Sequence, residues 1–318
     1  MEYRNIGKWG VRVSEVGLGS WLTYGQIVEE RNAIEQIHFA FDKGINFFDT
    51  ANVYGKGEEV IGKAIKSFRR ESIVLATKVF FPVGNGPNDH GLSRKHIFEQ
   101  CHQSLKRLET DYIDLYQCHR YDPDVPLYEV VRAMDDLCRQ GKILYWGVSE
   151  WTGPQIEQAA SLADDLHAMP PISNQPQYNM LSRGVEDEVI PVCNNLGLGQ
   201  LAFSPLAQGI LTGKYKPGQP YPEDSRAAND RANQFILRYL NRGNLEIVES
   251  LKPIAQEQNM SLSQLALAWC LRLNEVSSVI IGATKTAQIE DNAKASGRKL
   301  DSELLRRIDD LLKKPAAR

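Results

Sequence analysis

Short apolar runs at residues 15–19, 45–48, 73–77, 113–118, 144–148, 172–175, 198–203 and 276–281 are strand-like in length and residue type, and helix-patterned segments separate them. A chain that alternates strand and helix in this way is expected to build an α/β fold around one parallel sheet. Eight strands with right-handed crossovers close naturally, so the expectation is a (β/α)8 TIM barrel, one domain over residues 1–318. Helices are expected from about 32 to 43, closed by Gly44, then through 60–65 and from the Ser93 cap to about 108. Others are expected over 126–140, up to Gly141, and from about Gly153. Residues 3–6 and 11–13, joined by a glycine-bearing turn, predict an N-terminal β-hairpin, and 301–313 predicts an extra C-terminal helix. The stretch 80–91, rich in Gly, Pro and Asn, reads as a long loop lining a site mouth. The polar segment 214–234 holds Pro217, Pro220 and Pro222 and reads as a mobile flap, because strand–helix order resumes beyond it.

Bulk properties narrow the function classes. Hydrophobic content of 42% and charged content of 24% are ordinary for a soluble globular protein. A net charge of −3, with basic residues scattered, gives no footprint for nucleic acid. No apolar run approaches the ~20 residues of a membrane span. Residues 1–5 lack the apolar core of a signal peptide, so a cytoplasmic protein is expected. The five cysteines are dispersed and never form C-x-x-C, which argues against a disulfide framework or a zinc knuckle. No metal is expected.

Asp49, Tyr54, Lys78 and His119 sit at or just past the ends of three of the apolar runs. The trailing ends of parallel barrel strands are where such folds collect their active sites. Singly, Asp49 suits a helix cap, Tyr54 an exposed aromatic and His119 a structural histidine. A carboxylate, a phenol, an ammonium and an imidazole on one rim instead make a proton-delivery device.

The segment Gly44-Ile45-Asn46-Phe47-Phe48-Asp49-Thr50-Ala51-Asn52-Val53-Tyr54-Gly55 resembles a signature of the aldo-keto reductases. The likeness continues at Ala76-Thr77-Lys78, at 111–119 ending on His119, at Trp146-Gly147-Val148-Ser149, at 174–179 and at 204–215, so it covers roughly residues 2–314. Within that family the segments 91–97, 131–134, 264–272 and 276–279 are most similar to the voltage-gated potassium-channel beta subunits and their microbial relatives.

The resemblance implies an NADPH-dependent reductase of small carbonyl substrates, with the cofactor stretched across the C-terminal rim. This agrees with the absence of a G-x-G-x-x-G motif after a strand. It implies that Gly19, Ser20 and Trp21 edge the nicotinamide alongside Asp49, and that Ser149 and Gln175 hydrogen-bond its carboxamide. Tyr178 either stacks on the ring or packs the barrel. Ser204, Leu206, Gln208, Gly209 and Leu211 would cross the pyrophosphate, with Lys214 nearby and Arg226 closing from the flap. After the last strand, Gly282 leads to Thr284 and Lys285 at a helix start, which suits the adenosine 2′-phosphate, and Gln288, Asp291 and Asn292 would take the adenine. Lys285 is the reason to favour NADPH over NADH. Glu150 stands where many relatives carry asparagine or arginine, and its role is left open.

Chemically, a tyrosine hydroxyl of ordinary pKa about 10 is a slow acid, and a nearby ammonium lowers that value. Tyr54 is therefore the expected proton donor, Lys78 its tuner, Asp49 the anchor of Lys78, and His119 the group that orients the carbonyl. Expected walls are Trp21, Tyr24, Phe80, Phe81 and Trp151. The alternative is a regulatory beta subunit that binds NADPH as a redox sensor. Channel subunits typically carry asparagine at the place of His119, and the barrel here begins close to Met1, leaving no inactivating arm. A channel partner is thus not favoured, while a homotetramer fits that branch.

Overall fold

The computed structural model describes residues 1–24, 27–223, 225–229 and 233–313. Strands β1 (Tyr3–Asn5) and β2 (Arg12–Ser14) form the antiparallel hairpin. The barrel strands are β3 (Val16–Gly19), β4 (Phe47–Asp49), β5 (Val74–Val79), β6 (Ile113–Cys118), β7 (Ile143–Ser149), β8 (Ser173–Gln175), β9 (Gly199–Phe203) and β10 (Val276–Ile281). All neighbours pair in parallel, and β10 closes on β3. Around them run α1 (Glu30–Asp42), α2 (Gly57–Ile65), α3 (Arg94–Leu108), α4 (Leu127–Arg139), α5 (Gly153–Asp165), α6 (Val189–Leu196), α7 (Arg242–Glu257), α8 (Leu262–Leu271), α9 (Thr286–Ala293) and the extra C-terminal α10 (Ser302–Leu312).

Strand alternation divides the core in two. Inward residues Phe47, Val74, Ala76, Leu115, Leu201 and Ile280 fill the barrel, while outward Phe48, Leu75, Tyr116, Trp146, Val279 and Ile281 pack beneath the helices. Ile6 and Val13 of the hairpin region join the inner cluster and stop the bottom of the barrel. Arg4 holds that plug in place. It pairs with Glu15 at 2.7 Å and donates to the carbonyls of Leu271, Leu273 and Val276. At the same end Gly7 adopts φ +56°, and a Cβ there would lie 2.2 Å from the Gly197 carbonyl oxygen, so only glycine fits.

The helix signals read as expected at several ends. Ser93 Oγ accepts from the His96 amide, Gly44 follows α1 at φ +85°, and Asp301 caps α10 by accepting from the Leu304 amide. The strand limits move by a residue or two. β4 starts only at Phe47, because Asn46 is tied to the hairpin through the Ser14 amide. β5 runs on to Val79, so Lys78 lies inside a strand rather than past its end. The expected flap, 214–234, holds a short 3-10 turn at Arg226–Ala228 and runs into another at Asn233–Phe235, with a third beyond it at Leu237–Tyr239; its residues 224 and 230–232 lie outside those described.

Candidate active site

Strand register brings the polar groups to one level. Asp49 of β4 is level with Gly19 of β3, Lys78 of β5 with Gln117 of β6, and Ser149 of β7 with Gln175 of β8. Asp49 is the hub of this layer. Its Oδ2 receives the Lys78 ammonium at 2.5 Å, and its Oδ1 accepts from Gln175 Nε2 at 2.8 Å and Gln117 Nε2 at 3.3 Å. Lys78 also donates to the Thr50 carbonyl at 2.8 Å and is fully buried, at 0% exposure. Burial pulls its pKa down, and the Asp49 carboxylate opposes that pull. The two acceptors of its Nζ, Asp49 Oδ2 and the Thr50 carbonyl, suit the ammonium form.

Tyr54 and His119 sit above this pair, with Tyr54 Oη and His119 Nε2 3.1 Å apart. Lys78 does not bond the phenol; its ammonium lies 5.1 Å from the centroid of the Tyr54 ring. The expected lowering of the Tyr54 pKa is not found. Burial, and then the Asp49 charge, push it well above the ordinary value, and Arg120 only partly offsets them. His119 moves the other way, well below the ordinary imidazole range, through burial and the positive charges of Lys78 and Arg120. Near neutral pH the site therefore presents a protonated phenol beside a neutral imidazole.

A cavity of about 770 Å³ opens over these groups, within the usual size of a ligand site. Gly19, Trp21, Asp49, Tyr54, His119, Ser149 and Gln175 line its inner end. Ser204, Leu206, Gln208, Gly209, Lys214 and Arg226 line its flank, and Gly282, Thr284, Lys285, Gln288, Asp291 and Asn292 its far end. Gln208, in the left-handed region at φ 59°, is held between Arg226, which donates to its Oε1, and Ser204 Oγ, to which its Nε2 donates. Burial lowers the Arg226 pKa. Asp291 accepts from Ser261 Oγ and Gln264 Nε2, each at 2.6 Å.

Three expected cofactor contacts are placed elsewhere. Tyr178 is buried against Trp269, donates to Glu186 and accepts from Arg272, so it packs the outer shell of the barrel. Ser20 lies under the floor, donating to Thr50 Oγ1, and Leu211 is in the apolar core. Of the expected walls, Trp21 and Phe81 line the cavity. Tyr24 instead bonds Gln36, Trp151 packs edge-on with Tyr121, and Phe80 stands behind Phe81. Glu150, left-handed at φ 59°, accepts from the Gln177 amide at 2.6 Å and so ties the loop after β7 to the one after β8. Sequence reasoning missed Arg120, Phe203 and Phe235, all on the lining. Arg120 directly follows His119 at a strand end, which was the available signal.

The donor set suits an elongated polyanion. Among the described residues the lining carboxylates are Asp49 and Asp291, both engaged as above, against the cations Arg120, Lys214, Arg226 and Lys285. Ser225 Oγ and His119 Nδ1 are buried on the lining with no partner among the described residues. A Cβ on Gly282 would meet nothing nearer than Thr23 at 3.6 Å, leaving that wall open for a ligand.

A parallel barrel with its polar cluster at the C-terminal strand ends, beneath a large cavity, has the architecture of the barrel enzymes. The sequence pattern of the Aldo/keto reductase family matches residues 15–313, and the chain belongs to that family. It is 47% identical over 300 residues, 93% of this chain and 91% of the relative, to the Arabidopsis thaliana protein named "Probable voltage-gated potassium channel subunit beta". The same identity and coverage relate it to the Oryza sativa subsp. japonica protein of the same name.

Proposed function

We propose that this chain is an NADPH-dependent reductase that converts aldehydes and ketones to alcohols, with Tyr54 as the proton donor. The observation that carries the reading is the buried Asp49–Lys78 pair beneath the Tyr54–His119 contact, at the inner end of the cationic cavity. The cofactor, when bound, supplies the hydride. Lys214, Arg226 and Lys285 would hold its phosphates, and Ser149 and Gln175 would meet its nicotinamide. Gln175 keeps one N–H on Asp49 and so links that contact to the catalytic layer.

A carbonyl oxygen beside Tyr54 Oη and His119 Nε2 accepts a hydrogen bond from each. As negative charge develops on that oxygen, the Tyr54 proton moves to it. The phenolate left behind faces the Lys78 ammonium across a buried site, where a short-range attraction is strong. Burial keeps Tyr54 protonated until that moment, and the alkoxide is the stronger base.

The test is NADPH consumption with a panel of aldehydes, comparing wild type with Tyr54→Phe. Loss of general-acid catalysis lowers kcat by roughly 10²- to 10⁴-fold while NADPH binding persists. Full activity in Tyr54→Phe refutes the assignment. A second reading is a redox-sensing subunit of a channel, and the names of the two plant relatives favour its channel-subunit part. Tight NADPH binding without turnover of any carbonyl would support it. The reductase reading carries with it a cytoplasmic protein with one barrel domain over 1–318, and the channel-subunit likeness suggests a homotetramer. No helix among the described residues is long and apolar enough to cross a membrane.

A further inference from the structure

Among the described residues Arg120 is the one cavity-lining cation at the reacting end, and the expected chemistry assigns it no contact with the reacting groups. Its Nη1 donates to its neighbour's carbonyl, His119 O, and lies 3.5 Å from Ser149 Oγ. Among the described residues its Nε and Nη2 have no hydrogen-bond partner, and no carboxylate lies within ion-pair distance of it. The other cation at this end, Lys78, is matched by Asp49. Arg120 stands apart from the other three lining cations. It follows β6, whereas Lys214 and Arg226 follow β9 and Lys285 follows β10, which stands four strands round the ring from β6. A guanidinium on a cavity wall with its fork unfilled is a poor use of free energy unless a ligand anion completes it.

We infer that Arg120 receives a carboxylate on the substrate, so the preferred substrates are carbonyl compounds that also carry a carboxylate, such as semialdehydes and carboxylated aromatic aldehydes. The inference rests on the reductase reading. A single guanidinium matches the single charge and planar fork of a carboxylate, and two N–H donors can engage both oxygens. The surrounding wall strengthens that pairing. Phe81 lies 5.5 Å from the guanidinium and edge-on to His119 at 4.8 Å, so the ring bridges the anion site and the carbonyl site. Trp21, Val53 and Phe235 complete an apolar lining that raises the field of the charge and leaves room for the carbon skeleton. Arg120 is thus a specificity-determining residue rather than a proton donor or acceptor.

The test measures kcat and KM for wild type, Arg120→Gln and Arg120→Lys with succinic semialdehyde and its amide, and with para-carboxybenzaldehyde and its carboxamide. Wild type is expected to prefer each carboxylate to its amide. In Arg120→Gln that preference falls by roughly 10- to 100-fold, chiefly through KM, whatever happens to the absolute rates. Arg120→Lys keeps the charge without the fork and recovers part of the preference. NADPH titration of each variant reports whether the barrel has folded. A preference for the amides in wild type, or one unchanged in Arg120→Gln, overturns the inference and leaves the reductase standing. So does an equal fall for acid and amide, which would make Arg120 an electrostatic tuner of His119 and Tyr54. Glycolaldehyde phosphate outcompeting both carboxylates overturns the choice of carboxylate. No turnover of any carbonyl by wild type overturns the reductase reading itself.

Discussion

Replacing Lys78 by methionine removes a charge from the floor of the site at almost constant volume. In the wild type its ammonium sits 2.5 Å from Asp49 Oδ2 and 2.8 Å from the Thr50 carbonyl. In the variant Asp49 keeps Gln175 and Gln117 on Oδ1, but Oδ2 and the Thr50 carbonyl lose their ammonium partner. Breaking one side of a buried pair in this way costs about 3–5 kcal/mol, because an uncompensated charge stays behind. Neutralising that charge should return most of the loss, so Lys78→Met/Asp49→Asn is expected within about 2 kcal/mol of wild type. Urea unfolding at pH 7 without cofactor reads this directly, as a lower midpoint at unchanged slope for the single variant. A single variant that loses less than about 1 kcal/mol, or a double variant no more stable than the single, would refute the claim that the two charges hold each other.

Other consequences are equally open to measurement. His119 has a depressed folded pKa, so below the ordinary value of 6.5 the unfolded chain takes up a proton that the folded one refuses. Stability then falls with pH by about 1.4 kcal/mol per unit until the folded imidazole also protonates, and His119→Asn should remove that slope relative to wild type. Gly62 in α2 faces the end of α3, where an added Cβ would lie 2.7 Å from the Leu108 carbonyl. Gly62→Ala is expected to lower stability by about 1–3 kcal/mol in thermal or urea unfolding, and a neutral result would show that the two helices can part. Lys285→Gln should weaken NADPH binding roughly three- to tenfold while leaving NADH binding unchanged, as fluorescence titration would show.

Short apolar runs and glycine or serine helix punctuation made the barrel legible, because each is a local signal of strand or cap. The Asp49, Tyr54, Lys78 and His119 group was legible for the same reason, since strand ends fix which face of the barrel a residue reaches. What escaped was set by packing between segments distant in sequence. Tyr178 took the packing reading of the two because Glu186 and Arg272 engage its hydroxyl, and Trp151 is buried in the outer cluster against Tyr121. The direction of the Tyr54 shift was missed because burial and the Asp49 carboxylate outweigh the lowering charge of Arg120, and burial cannot be read from spacing. Phe235 reaches the cavity only through the fold of the segment before α7.

The concealment of Lys78 also makes it a reporter. Lysines such as Lys66 and Lys95, on the outer helices, are open to amine-reactive reagents in the folded protein. Lys78 is sealed beneath the phenol and imidazole, so its labelling rate counts the openings of the barrel's upper layer rather than the chemistry of its amine. A ligand that stabilises that layer would slow this one lysine and leave the outer ones unchanged, giving a footprint of occupancy that requires no turnover.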